Sequence, residues 1–288
     1  MKTVIKSFVQ HTAKNPLAWF LYRACGALSK ELGRVYGHAS FVREIAERNG
    51  KLTGFAGELF AGMTVVHGPF RGLRYPMTQS VGSTLLPKLL GSYESELHPV
   101  LEGLLTNNYT SIVNIGCAEG YYAVGLGRRL TKASIYAFDT DENARGICAD
   151  MARLNGLADR IHIGGFCDAE TLKNVPLGSK ALVICDCEGY EGRLFTPELA
   201  EFLANHDLII ETHDFIDIDI STRLRRVFDR THHIQSIKSI DDIQKAHSYR
   251  FDELEKYSVH DRRQILAERR PAIMEWFVMT PQKLLYPG

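Results

Sequence analysis

From residue 111 onward, short apolar strands alternate with helices, and this alternation constrains the fold more than any other feature of the sequence. Such a pattern predicts a parallel sheet that is covered by helices on both faces. The predicted strands are 111–115, 134–138, 161–163, 181–185, 208–211, 232–237 and 272–280. We therefore expect an α/β fold in which two further strands follow the repeating part.

The first 95 residues have a different pattern. Residues 1–62 are predicted to be mainly helical, 64–75 to form a short hairpin or an irregular extended segment, and 81–105 to form a helix that breaks near Gly91. We expect an N-terminal helical extension over residues 1–95, acting as a lid or a dimer contact. The main domain is expected over residues 96–288.

Charge and composition exclude several classes of protein. The 34 Lys and Arg residues balance the 34 Asp and Glu residues, so no global field favours nucleic acid. The apolar run 16–28 is too short to span a bilayer and contains Arg23, which favours a helix packed on the body of the protein. The six cysteines are scattered, mostly in apolar segments, which is typical of reduced thiols and predicts a cytoplasmic protein.

A glycine-containing loop follows the first predicted strand, with the sequence Gly-Cys-Ala-Glu-Gly at residues 116–120. Small residues let backbone amides approach a ligand, although any tight turn from a strand to a helix also favours them. Tyr121 stands where a dinucleotide fingerprint requires a small residue, so NAD is disfavoured. The pattern G-x-A-x-G, formed by Gly116, Ala118 and Gly120, instead suits a loop that curves around an amino acid tail.

Two aspartates extend this site. Asp139 ends the second predicted strand, about twenty residues after the loop, where a carboxylate can accept both ribose hydroxyl protons of an adenosine ligand. Asp168 follows the third strand and could accept from an adenine amino group. It could equally be the N-cap of the next helix.

The order of these motifs resembles the class I S-adenosylmethionine-dependent methyltransferases, over about residues 95–288. The resemblance implies a Rossmann-like, seven-stranded and mostly parallel sheet with an antiparallel final hairpin, and S-adenosylmethionine as the cofactor. An acidic residue that is frequent in the family's first motif is Asn114 here. The implied cofactor-binding residues are Asn114, Gly116, Ala118, Glu119, Gly120, Asp139, Asp168 and Asp186.

Two further segments narrow the resemblance. Asp186-Cys187-Glu188-Gly189-Tyr190-Glu191 is similar to the D-x-E-G-x-E signature of FkbM-type methyltransferases, and Glu211-Thr212-His213 is similar to that family's E-x-H ending. Many members methylate hydroxyls. The resemblance therefore implies O-methylation of a saccharide or another small polar metabolite.

Transfer to a hydroxyl requires a base beside the acceptor. His213 is the candidate base, because its ordinary pKa lies near neutrality, and Asp186 and Glu188 are expected beside it at the same edge of the sheet. A histidine that merely bonds a neighbouring group is the alternative. Asp186, Glu211 and Asp214 leave open a site for Mg²⁺, whereas Glu188 and Glu191 could simply pair with Arg193.

Other interpretations stay open. The acceptor could instead be a protein or an RNA, although the neutral charge argues against RNA. A methyltransferase fold that binds ligands without turnover is a further alternative, favoured by Asn114. Basic pairs such as Arg269-Arg270 are expected to be solvated, and a homo-oligomer through the N-terminal extension is compatible with the sequence.

Overall fold

The computed structural model describes residues 16–17, 20, 50–60, 62–76 and 80–282 of the chain. Residues from Phe55 onward belong to one compact unit, and the few described residues before Phe55 belong to another. The helices expected over residues 1–62 and the apolar run 16–28 lie largely outside the described residues.

The described residues form a seven-stranded sheet in the order β3-β2-β1-β4-β5-β7-β6. Strands β1 to β5 are parallel, whereas β7 runs antiparallel to both β5 and β6. The bounds are Ser111–Ile115 (β1), Ser134–Phe138 (β2), Ile161–Gly164 (β3), Ala181–Cys185 (β4), Asp207–Thr212 (β5), His232–Lys238 (β6) and Glu275–Pro281 (β7). The predicted α/β, Rossmann-like fold with an antiparallel final pair is confirmed. The last strand begins three residues later than predicted.

Helices connect these strands. Their bounds are Leu85–Leu90 (α1), His98–Leu104 (α2), Tyr121–Arg129 (α3), Glu142–Leu154 (α4), Ala169–Lys173 (α5), Glu191–Leu194 (α6), Pro197–Phe202 (α7), Ile220–Phe228 (α8), Asp242–Ser248 (α9) and Val259–Leu266 (α10), with short 3-10 helices at Ser95–Leu97 and Asp252–Leu254. Asp141 caps α4 as predicted, because its carboxylate accepts the Asn143 N–H. Gly91 ends α1 in the left-handed conformation, at the predicted break.

The core lies on the faces of the central strands. Every residue of β1, β4 and β5 is buried, as expected for strands that are covered on both sides. On one face, Val113 and Val183 belong to the same apolar cluster as Leu199 of α7 and Leu224 of α8. No helix of the described residues combines the length and the apolar character that a membrane span requires. The five cysteines in these residues are free thiols.

Two segments outside the repeating α/β part lie beside the sheet. Thr64 and Arg74 form an isolated antiparallel bridge within the segment expected to be a short hairpin or an irregular extended stretch, and Phe70 packs edge-on against Tyr121 at 5.0 Å between ring centroids. The connection from β6 to β7 spans residues 239–274 and carries α9 and α10. Thr84 Oγ1 donates to the Ala267 carbonyl at 2.7 Å, so the connection from β6 to β7 contacts the segment that precedes α1.

Candidate ligand-binding and catalytic site

A cavity of about 400 Å³ lies at the carboxyl ends of β1, β2, β3 and β4. In the sheet, β2 and β3 lie on one side of β1, and β4 and β5 lie on the other. The loops after β1 and β4 therefore diverge, and a crevice opens between them. Segment 81–93 and the aromatic residues that begin α3 complete its walls. For each residue expected at the cofactor, the structure shows whether it lines this cavity.

The loop after β1 is pressed against the turn after β4. Gly116 has a φ of +75°, and a Cβ at this position would lie 1.6 Å from the Asp186 carbonyl oxygen. The N–H groups of Gly116 and Cys117 donate to the Phe138 carbonyl at 2.8 and 2.9 Å, which holds the loop against β2. A glycine is required at residue 116 because no side chain fits between the two segments.

Asp139 lines the cavity at the end of β2. Its Oδ2 accepts the Ala118 N–H at 2.8 Å, and its Oδ1 accepts the Asp141 N–H at 2.9 Å. Each carboxylate oxygen can accept a further hydrogen bond. The carboxylate is therefore oriented by backbone groups and keeps acceptor capacity toward a ligand.

Asn114 lies in the middle of β1 and lines the same cavity. It is only 2% exposed, and its Oδ1 has no hydrogen-bond partner among the described residues. An unpaired buried acceptor costs about 1–3 kcal/mol unless a ligand or water satisfies it. The amide oxygen is therefore suited to accept a donor from a molecule in the cavity.

Glu119, expected at the cofactor, is used within the protein instead. Its fully buried carboxylate lies 2.6 Å from Lys88 Nζ and accepts the Ser80 hydroxyl at 2.6 Å. Burial raises the pKa of Glu119, but the charge and hydrogen bond of Lys88 and the hydroxyl of Ser80 outweigh burial, so its pKa lies below the ordinary value. Lys88, not Glu119, lines the cavity. No local motif distinguishes Lys88 in the sequence.

Asp168 caps α5, the alternative that the sequence left open. Its Oδ1 accepts the Thr171 N–H at 2.8 Å. Its predecessors in the chain, Gly165, Phe166 and Cys167, line the cavity. The loop after β3 thus presents backbone and an aromatic ring to the cavity.

The acidic residues that follow β4 and β5 come together, but at different depths. Asp186 and Glu188 line the cavity, with side chains 41% and 74% exposed. His213 lies behind them, with its side chain 3% exposed and its Nε2 3.4 Å from Asp186 Oδ1 and 3.6 Å from Glu188 Oε2. Glu191 is fully buried on the other side of the imidazole.

Glu191 pairs with the far side of the His213 imidazole. Its Oε1 lies 2.9 Å from His213 Nδ1 and also accepts the Cys187 N–H at 2.9 Å. Among the described residues neither His213 Nδ1 nor Glu191 Oε2 has a hydrogen bond, so the contact is a close pairing of the carboxylate with the imidazole. Arg193 was the alternative partner for Glu191 in the sequence, and the structure brings the buried imidazole to it instead.

Burial and charge act in opposite directions on these groups. Burial lowers the pKa of His213, but the carboxylates of Glu191, Asp186 and Glu188 outweigh it, so the pKa is raised above its ordinary value. Burial also raises the pKa of Asp186 to about 6, although its carboxylate keeps contact with the cavity. The pKa of Glu211 is raised by burial and by Asp186, to which it is hydrogen-bonded. The two carboxyl groups therefore titrate as an interacting pair.

Arg270 neutralises the inner side of this cluster. Its Nη1 donates to Glu211 Oε1 at 2.6 Å, its Nε donates to Glu268 Oε2 at 2.9 Å, and its Nη2 pairs with Glu94. The guanidinium also lies 4.8 Å from the ring centroid of Trp276. The expectation of a solvated Arg270 is wrong, because three carboxylates from distant parts of the chain surround its side chain, which is 14% exposed.

Asp186, Glu211 and Asp214, the possible metal ligands in the sequence, do not all lie together. Asp186, Glu211 and His213 bring their ligand atoms within 4.8 Å of one another. Asp214 Oδ1 instead accepts the Ser221 N–H at 2.8 Å, and the residue lines a separate small cavity. His213 takes the position that sequence reasoning gave to Asp214.

No protein-family model matches the chain, and no curated protein matches it. Several solved structures are similar in part. A candidate O-methyltransferase from Klebsiella pneumoniae is 9% identical, with a TM-score of 0.45, over 67% of this chain and 81% of that one. A precorrin-6y C5,15-methyltransferase from Geobacter metallireducens GS-15 is 10% identical, with a TM-score of 0.43, over 64% and 86%. The O-methyltransferase TomG from Streptomyces achromogenes, solved with S-adenosylmethionine, is 12% identical, with a TM-score of 0.40, over 66% and 81%.

Proposed function

We propose that this protein is an S-adenosylmethionine-dependent methyltransferase. One observation carries the proposal: a single cavity is lined by the oriented carboxylate of Asp139 at the end of β2 and by Asn114 of β1, whose buried amide oxygen has no hydrogen-bond partner among the described residues. The first suits a ribose diol and the second suits an ammonium group. An adenosine that carries an amino acid tail has both.

The residues present fit that cofactor. Asp139 would bind the ribose hydroxyls and Asn114 Oδ1 would accept from the ammonium group, while Gly116 lets the loop after β1 pack against the turn after β4. When bound, S-adenosylmethionine supplies an electrophilic methyl group next to a positively charged sulfur. The carboxylates of Asp186 and Glu188 are on the side of the cavity formed by β4, where they favour that positive charge.

Asp186 is the residue that we assign to the acceptor proton. It lines the cavity, and its pKa of about 6 leaves it ionised at neutral pH yet still basic enough to accept a proton from a positioned hydroxyl. His213 lies behind Asp186 and acts through it, with Glu191 on the far side of its imidazole. Glu188 positions the acceptor. This assignment moves the role of base from His213 to Asp186.

The acceptor class is proposed from the same arrangement. A hydroxyl of a small molecule suits a base of this pKa, in keeping with the resemblance to FkbM-type enzymes through the Asp186–Glu191 segment. A divalent ion does not enter the mechanism. The Arg270 guanidinium already pairs with the Glu211 carboxylate at 2.6 Å, which makes Glu211 a poor ligand for Mg²⁺.

Calorimetric titration with S-adenosylhomocysteine, beside NAD, tests the proposal. We expect binding of S-adenosylhomocysteine alone, weakened about a hundredfold or more in Asp139→Ala, because two charge-assisted hydrogen bonds are lost. Asp150→Ala is the matched control, since Asp150 is an exposed aspartate of α4 that pairs with Arg153. Failure of the unmodified protein to bind S-adenosylhomocysteine would overturn the proposal.

A further inference from the structure

Four apolar side chains lie on the loops that follow β3, β4 and β5, and two of them, Phe166 and Tyr190, line the cavity. We call Phe166, Tyr190, Phe215 and Ile216 the apolar strip. Phe166, Phe215 and Ile216 are 56%, 45% and 53% exposed, which is unusual for side chains of this size. They come from the loops that follow β3, β4 and β5, so the chain brings them together only in the folded state.

The strip is continuous. The rings of Phe166 and Tyr190 lie 5.2 Å apart between centroids. The Ile216 side chain covers Gly189, since a Cβ at that glycine would lie 3.3 Å from Ile216 Cδ1. Phe215 precedes Ile216 in the chain, with its ring 5.8 Å from the His213 imidazole, and it lines the separate small cavity beside Asp214. The strip therefore runs from the loop after β3 to the buried catalytic cluster.

The strip also joins the cavity that the cofactor is proposed to fill. Phe166 and Tyr190 line that cavity together with Asp186 and Glu188. Its volume of about 400 Å³ is near the lower end of small-molecule sites, roughly 300–1,000 Å³. A nucleoside with an amino acid tail occupies most of such a space. An acceptor that reaches Asp186 must then lie across the mouth, on the apolar strip.

The charge around the strip limits what can lie on it. Glu188 is 74% exposed beside Tyr190, Asp186 keeps 41% exposure, and Asp217 follows Ile216 in the chain. Asp217 is neutralised by Arg223, whereas Asp186 and Glu188 face the cavity. An anionic acceptor would be repelled at the position where its hydroxyl must approach.

We infer that the apolar strip binds the apolar part of the acceptor, and that the acceptor is an amphipathic molecule without negative charge whose hydroxyl reaches Asp186. This inference rests on the proposed methyltransferase function and narrows its substrate class. Unmodified saccharides and phosphorylated sugars lack the required apolar part or carry the wrong charge. Phe215 and Ile216 are then specificity-determining residues, which touch the acceptor away from the reacting atoms.

A matched pair of probes tests the inference directly. Glucose and n-octyl-β-D-glucoside share the sugar hydroxyls and differ only by an alkyl chain. Both are titrated against the full chain by saturation-transfer NMR, with S-adenosylhomocysteine present and with the glucoside below its micellar threshold. We expect the glucoside to bind at least about tenfold more tightly than glucose, because the alkyl chain buries apolar surface on the strip.

A pair of isoleucine variants locates that binding. Ile216→Ser is expected to weaken glucoside binding about fivefold or more. Ile243→Ser is expected to leave it unchanged, because Ile243 is equally exposed, at 55%, but lies on α9 and not on the loops that follow β3, β4 and β5. Both positions are exposed, so neither substitution disturbs the core.

Each outcome has a separate meaning. Equal affinity for the two probes, or equal losses in the two variants, would overturn the inference. Binding of neutral phosphatidylcholine vesicles that Ile216→Ser abolishes, with no preference for the glucoside over glucose, would replace the acceptor by a lipid surface. If S-adenosylhomocysteine does not bind in its own titration, the proposed function fails, whatever the glucoside result.

Discussion

The cavity has two sides that are built in different ways. On the side of β1 and β2, Asp139 is held by the backbone N–H groups of Ala118 and Asp141, and a glycine fills a position where no side chain fits. On the side of β4 and β5, Asp186 and its neighbours are held by other charged side chains. A side-chain substitution does not remove a backbone N–H donor, whereas it can remove one member of a buried charge cluster and leave the other charges unpaired. The second side should therefore be the more sensitive to mutation.

The largest expected effect comes from Arg270, the cation of the second side. Arg270→Met leaves the carboxylates of Glu94 and Glu211 buried without their cation, whereas Glu268 keeps Lys245, and we expect this loss to lower the free energy of unfolding by about 3–5 kcal/mol. Urea unfolding measures it. Arg263→Met is the control, because Arg263 is exposed on α10 and should change stability by less than about 0.5 kcal/mol. Equal stability of the two variants would mean that the charge cluster is not coupled to the fold.

A smaller effect is expected where the two sides touch. In Gly116→Ala the new methyl group would meet the Asp186 carbonyl oxygen, and the residue would keep a φ of +75°, so we expect a loss of about 2–3 kcal/mol in stability and weaker binding of S-adenosylhomocysteine. Gly165→Ala is the matched change in the same cavity, since a Cβ there meets no described atom within 4 Å. A Gly116→Ala protein as stable as Gly165→Ala would show that the two loops can separate without cost.

The smallest expected effect is on the protonation of His213. Glu191→Gln removes the carboxylate beside Nδ1 but keeps an acceptor for the Cys187 N–H. Since that carboxylate favours the charged imidazole, its loss should lower the pKa of His213. NMR titration of the imidazole resonances measures it, with the exposed Glu201→Gln of α7 as the control. An unchanged pKa would mean that Asp186 and Glu188 alone set the charge of His213.

The sequence predicts features that depend on neighbouring residues better than features that depend on distant ones. The strands, the break at Gly91, the cap at Asp141 and the position of Asp139 were predicted correctly, because each depends on residues close in the chain. The pairing of Glu119 with Lys88 was not predicted. Its partner Lys88 lies 31 residues earlier, and no local pattern links the two.

The sequence by itself determined the order of the strands and helices and the edge of the sheet where the site forms, since hydrophobic periodicity and turn residues act locally. The tertiary structure decided which groups face the cavity. It places Asp186 in the wall of the cavity and His213 behind it. Asp214 accepts the Ser221 N–H instead, and Arg270 lies among three carboxylates. Burial and ion pairing set these positions, and both depend on side chains that only folding brings together.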